Sequence, residues 1–117
     1  MSRLTKAFGY SLEGIATAWS TEASFRLECL WAIVLIPVGC LLPVPILHRA
    51  VLVVSVMMVL MIELLNSSIE AAIDRISLDR HPLSKKSKDA GSAAVLFAVT
   101  ISTLLWAAVI ATWLLKL

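Results

Sequence analysis

"VLMIELLNSSIEAAIDRIS", residues 59–77, decides how this chain is read. It opens as an apolar run suited to a membrane helix, reaches Glu63, and within two turns adds Asn66, Ser67, Glu70 and Asp74. A carboxylate close to hydrocarbon is costly, and such groups face a bundle interior or a water-filled cavity rather than lipid. At about 100° per residue, these five polar side chains share one wedge about 100° wide on a helix. Leu64, Leu65, Ile69, Ala71, Ala72 and Ile73 make the remainder of that helix mostly apolar. A solvated helix end scatters its charges; this one aims them.

Composition fits that reading. Of 117 residues, 60% are hydrophobic and only 15% charged, and the mean hydropathy is +0.93. A soluble domain of this size needs more charge on its surface, so the chain reads as one integral membrane unit. The net charge of +2 is too small to argue for nucleic acid. "MSRLTKAFGYSLEG" has no apolar stretch ahead of a cleavage site, so no secretory signal is expected. Cys29 and Cys40 lie in an apolar segment without C-x-x-C spacing and read as free thiols.

Three apolar runs are candidate spans. "CLWAIVLIPVGCLLPVPIL" (29–47) carries Pro37, expected to kink a helix, and Pro43 and Pro45, expected to end it. "ILHRAVLVVSVMMVLMIELL" (46–65) follows after almost no loop, giving a tight antiparallel pair. "AGSAAVLFAVTISTLLWAAVIATWLL" (90–115) is long enough to cross about 30 Å of hydrocarbon with some tilt. The expected organisation is a surface helix over 3–21, spans over about 27–43, 46–66 and 90–115, and a polar connection over 67–89. Arg3, Lys6 and Arg26 precede the first span, and Arg75, Arg80, Lys85, Lys86 and Lys88 fall in the connection. Arg49 alone sits in the turn between the first two spans, and Lys116 alone in the tail. The positive-inside rule then places the N-terminus and the connection in the cytoplasm and the C-terminus outside.

Ahead of the spans, Leu4, Phe8, Leu12, Ile15 and Trp19 recur at helical spacing. That pattern predicts an amphipathic helix lying in the interface, with Trp19 at headgroup depth. Gly9 and Gly14 weaken it in isolation, so it needs the membrane or other helices to form. Two further polar sets lie at the depth of Glu63. In "TEASFRLE", Glu22 and Arg26 are four apart and able to pair, while Glu28 projects elsewhere. In "KKSKDAGSAA" (85–94), Lys88 and Asp89 sit at the membrane surface, and Gly91, Ser92, Ala93 and Ala94 permit close helix approach.

Acids, a lysine and a surface helix at headgroup level suit phosphoryl transfer. Mg²⁺ is hard and is held by one or two carboxylates plus phosphate oxygens. Developing charge on a transferred phosphoryl group needs a cation, which Lys88 or an arginine supplies. An acceptor hydroxyl needs a base, and a carboxylate in a partly apolar setting is a candidate. Blander readings stand beside these. Glu22 is equally explained by an ion pair with Arg26. Lys85, Lys86 and Lys88 are a positive-inside cluster touching anionic lipid. His48 and His81 are isolated, and Trp31, Trp106 and Trp113 read as lipid-facing or interfacial anchors. Glu70 and Asp74, four apart, repel unless a metal or basic partner intervenes. No G-x-x-x-x-G-K-[ST] loop occurs and the chain has only 4 glycines, so any nucleotide binds outside a soluble kinase fold. Three helices do not readily enclose a nucleotide and a lipid, which predicts a homo-oligomer with sites between subunits.

"ELLNSSIEAAIDRI" (63–76) and "KDAGSAAV" (88–95), with "EASFR" (22–26) and "AFGYS" (7–11), closely resemble the prokaryotic diacylglycerol kinase family. The likeness covers nearly the whole chain, in order and in length. It implies a small all-α membrane kinase: a surface helix and three spans, assembled as a homotrimer in the bacterial inner membrane. The implied reaction is MgATP-dependent phosphorylation of diacylglycerol to phosphatidic acid at the cytoplasmic face. Carried over by position, Glu63 is implied as the base at the lipid hydroxyl, and Glu22 and Glu70 as the acids holding Mg²⁺ with ATP. Arg3, Tyr10, Asp79, Arg80, His81, Lys88 and Asp89 match positions around the nucleotide. Arg3, Ser11, Arg26, Asn66 and Ser92 match positions lining or supporting the lipid site. Leu12–Glu13, Thr21, Arg80 and Pro82 depart from the family pattern, which bears on nucleotide preference and acyl-chain contacts and leaves the three acids in place.

Other functions were weighed on the same residues. Undecaprenol kinase, a branch of the same family, shares the catalytic residues and differs in lipid. A small proton-coupled transporter has four spans and a central acid, whereas here an acid sits at the cytoplasmic end of one of three. A non-catalytic scaffold leaves the aligned acids unexplained.

Overall fold

The computed structural model describes residues 2–117, and every regular element in it is α-helical. α1 spans Arg3–Thr21, α2 Ala23–Leu41, α3 Ile46–Ile76 and α4 Pro82–Leu115. α2, α3 and α4 are each long and apolar enough to cross a membrane, which makes this a multi-pass membrane protein. α3 is the hub and touches all three other helices.

Local chemistry sets the boundaries. α1 starts at Ser2, whose hydroxyl accepts from Thr5 N at 3.2 Å, a standard N-cap. It ends at Glu22, an extended residue (φ −115°, ψ 107°) that also begins α2. α2 runs unbroken through Pro37, and its last turn closes at Leu42 N to Val38 O, 3.0 Å. Pro43 and Pro45 follow, which is where a chain unable to continue a helix is expected to turn. Arg49 Nε donates to Val44 O at 2.9 Å and clamps this turn. Pro82 occupies the first turn of α4, where its missing N–H costs nothing, and His81 Nδ1 caps the helix by accepting from Leu83 N.

α3 and α4 run well past the apolar stretches. At about 1.5 Å per residue, the 34 residues of α4 rise about 51 Å, against about 30 Å of hydrocarbon. Most of the polar connection over 67–89 is therefore helix, and only residues 77–81 lie between α3 and α4. That extension carries Glu70 and Asp74 on the same rigid rod as Glu63.

Packing is sparse. The principal cluster joins Val44, Leu52 and Val109, with Leu42 and Trp106 against it. Trp106, read from sequence as an anchor at the lipid surface, is instead half-buried here, with its indole N–H buried and unpartnered. Farther along, the Ser55 hydroxyl bonds Ser102 at 2.9 Å, a buried polar tie between α3 and α4. Small hydroxyl residues joining helices in this way are typical of membrane bundles. Along α1, exposure falls from 82% at Leu4 to 41% at Trp19 and 7% at Ala18. The helix rests on the bundle only near its C-terminal end.

Candidate active site

The break at Glu22 shapes the site. Because Glu22 lies between two helices, it shares no helical face with Arg26, and the expected ion pair between them does not form. Arg26 Nη1 donates instead to Trp19 O (2.9 Å) and Ser20 O (3.3 Å). Those are orphan carbonyls at the end of α1, and the guanidinium satisfies them. Glu22 N closes the last turn onto Ala18 O at 2.8 Å. Arg26 thus fixes the corner, and the Glu22 carboxylate has no salt-bridge partner among the described residues.

Glu63 is only 5% exposed, the one buried charged residue among the described residues. Glu22 and Glu70 lie near enough for their charges to act on it, and it acts in turn on Glu28. Glu22 from the α1–α2 corner, Glu28 from α2 and Glu70 from α3 therefore lie within electrostatic reach of Glu63, and none of the four has a salt-bridge partner among the described residues. Glu28, read as projecting elsewhere, belongs to this group, and its Oε2 is buried without a hydrogen bond. A sequence signal for it existed: an acid opening an apolar span with no basic residue three or four positions further on.

Asn66 stands beside Glu70, donating from Nδ2 to Glu70 Oε1 at 3.4 Å. Tyr10, Ser11 and Glu22 line a groove of roughly 700 Å³ between α1 and α3, with Leu64, Ser67 and Ser68 opposite. Asp79, Arg80, His81, Lys88 and Asp89 line a separate cleft of roughly 620 Å³ around the 77–81 loop. The two clefts share no lining residue. Beside the second cleft two ion pairs form, Lys88 Nζ to Asp74 Oδ1 at 2.6 Å and Lys85 Nζ to Asp89 Oδ2 at 2.5 Å, while Asp79 has no salt-bridge partner among the described residues. Asp74 thereby leaves the acidic group to which its position on the wheel assigned it. Arg3 stands exposed at the start of α1, and Ser92 is exposed beside Gly91.

Magnesium can be tested against these donors. Among the described residues no three His, Cys, Asp or Glu side chains could enclose an ion. Hard, uncompensated carboxylate oxygens are nevertheless the donors Mg²⁺ takes when phosphate completes its shell. The set fits a metal–nucleotide and not a bare metal site.

Together the fold and the acids define a multi-pass membrane protein with an uncompensated carboxylate cluster at one end of its bundle. Comparison with known proteins gives the family. The model for prokaryotic diacylglycerol kinase matches residues 9–110. A diacylglycerol kinase of Pseudomonas aeruginosa is 48% identical over 110 residues, covering 94% of this chain and 89% of the relative. That of Escherichia coli K12 is 44% identical over 105 residues, covering 90% and 86%. That of Haemophilus influenzae is 37% identical over 110 residues, covering 94% and 93%. The chain belongs to the prokaryotic diacylglycerol kinase family, and is an enzyme of that family.

Proposed function

We propose that this protein transfers the γ-phosphoryl group of ATP to the free hydroxyl of diacylglycerol, giving phosphatidic acid. The observation that carries the reading is Glu63, buried among carboxylates with no cation at hand. Glu63 takes the proton from the lipid hydroxyl as its oxygen bonds to the γ-phosphorus and the bond to ADP breaks. Glu22 and Glu70 would hold magnesium together with the ATP phosphates. Magnesium, when bound, supplies the positive charge that phosphate oxygens need during transfer. Lys88 exchanges Asp74 for a phosphate oxygen, and Arg3, Tyr10, Asp79, Arg80, His81 and Asp89 contribute to nucleotide binding. Ser11, Arg26 and Ser92 support the lipid.

The reaction takes place at the cytoplasmic face of a bacterial inner membrane, with the N-terminus and the α3–α4 loop inside and the C-terminus outside. Lys and Arg distribution supports that orientation. The active form is a homotrimer with sites between subunits. Separation of the proposed nucleotide residues into two clefts supports a site completed by a neighbour.

The test is MgATP-dependent phosphate transfer in mixed micelles, offering diacylglycerol and undecaprenol in parallel, with Glu63→Gln as the blank. Preference for diacylglycerol that vanishes in the variant is the expected result. Preference for undecaprenol moves the protein to the other branch of the family, and transfer to neither overturns the reading.

A further inference from the structure

Gly91 and Asn66 meet where α4 crosses α3, beside the acidic cluster. A Cβ built on Gly91 would overlap Asn66 Oδ1 and lie 3.3 Å from its Cγ. Flexible surface side chains can yield to such an overlap. Asn66 is half-buried, and its amide is already committed on the other side, to Glu70 Oε1 at 3.4 Å. Only the amide nitrogen can donate to a carboxylate, so chemistry fixes which end faces Glu70. Oδ1 is then left facing Gly91, buried and without a hydrogen-bond partner. An unpaired buried acceptor is costly, and the arrangement persists because packing holds it.

We propose that Gly91 is a positioning residue: its missing side chain seats the Asn66 amide, which in turn orients the Glu70 carboxylate for the metal–nucleotide. This rests on the function proposed above and assigns Asn66 to the metal side of the site, where the family resemblance assigned it to the lipid. Gly91 acts on Glu70 only through Asn66. Partners that orient a metal ligand typically contribute tenfold or more to metal affinity without touching the metal. An added methyl at residue 91 pushes the Asn66 amide off Glu70 and frees that carboxylate to rotate. No chemistry at the lipid hydroxyl is altered.

The experiment compares wild type, Gly91→Ala, Asn66→Ala and the double variant in detergent. Mn²⁺ binding with a non-hydrolysable ATP analogue is followed by electron paramagnetic resonance, with no lipid and no turnover. Each single variant weakens Mn²⁺ binding about tenfold. The double variant is no weaker than the weaker single, because the side chain through which Gly91 acts is already gone. In turnover assays the KM for lipid stays at its wild-type value. Multiplying effects in the double variant, or an unchanged Mn²⁺ affinity in Asn66→Ala, overturn the inference. If Gly91→Ala does not fold, recovery of the fold in the double variant upholds the contact, and no recovery overturns it. A wild type that binds no Mn²⁺–nucleotide overturns the proposed function itself, whereas wild-type binding with unshifted variants sinks only the role of Gly91.

Discussion

Two polar regions lie at the same end of the bundle and treat charge in opposite ways. Around the 77–81 loop, Lys85 meets Asp89 and Lys88 meets Asp74, so two of the three acids there are paired with lysines in the open. A few turns deeper, Glu22, Glu28, Glu63 and Glu70 gather with no cation among the described residues. The first arrangement is what a solvated surface reaches unaided, and exposed pairs of this kind add little stability. The second is repulsive while its members are ionised, and either protonation or positive charge from outside relieves it. An uncompensated group of acids near hydrocarbon is therefore the candidate place for the proposed ligand.

The contrast can be broken at four points. Glu63→Gln keeps the size of the side chain and removes the proposed base. Turnover should fall by a factor on the order of 10² to 10⁴, with the oligomer intact by size-exclusion chromatography. Retained turnover removes Glu63 from that role. Glu70→Gln and Glu22→Gln each delete a carboxylate proposed to hold magnesium, so the magnesium concentration for half-maximal rate should rise about tenfold or more. An unchanged requirement makes those acids structural. Glu28→Met replaces a buried, unpaired carboxyl oxygen by an apolar side chain of similar length. It should stabilise the fold by roughly 1–3 kcal/mol, read as a higher unfolding temperature in detergent. A lower temperature would show that the carboxyl is satisfied by a group of a neighbouring chain. Asp74→Asn, in the compensated region, should change stability by less than about 1 kcal/mol. A larger loss would mean that the pair with Lys88 holds α3 against α4.

How much of this was legible depended on distance along the chain. Glu63, Asn66, Glu70 and Asp74 share one helix, and a 3.6-residue period suffices to put them on one face. The three apolar spans follow from length and hydropathy alone. Glu28 escaped because its neighbour Glu63 lies on another helix, and no periodicity relates them. Arg26 was paired with Glu22 on the premise of a continuous helix, and the one-residue break at Glu22 removed that premise. Tryptophans favour the interface, which makes Trp106 read as an anchor, yet packing against the cluster of Val44, Leu52 and Val109 draws it partly inward.

The sequence by itself determined the membrane class, the spans, the aligned acids of α3 and, through motif likeness, the family. These rest on hydropathy, local periodicity and order along the chain, all properties of nearby residues. Only the tertiary structure decided that Glu22 and Glu28, from other segments, come within electrostatic reach of Glu63, that Asp74 belongs to Lys88, and that Gly91 leaves room for Asn66. Those facts are distances between helices, set by how apolar faces and small residues let one rod lie against another, and no stretch of one helix records them.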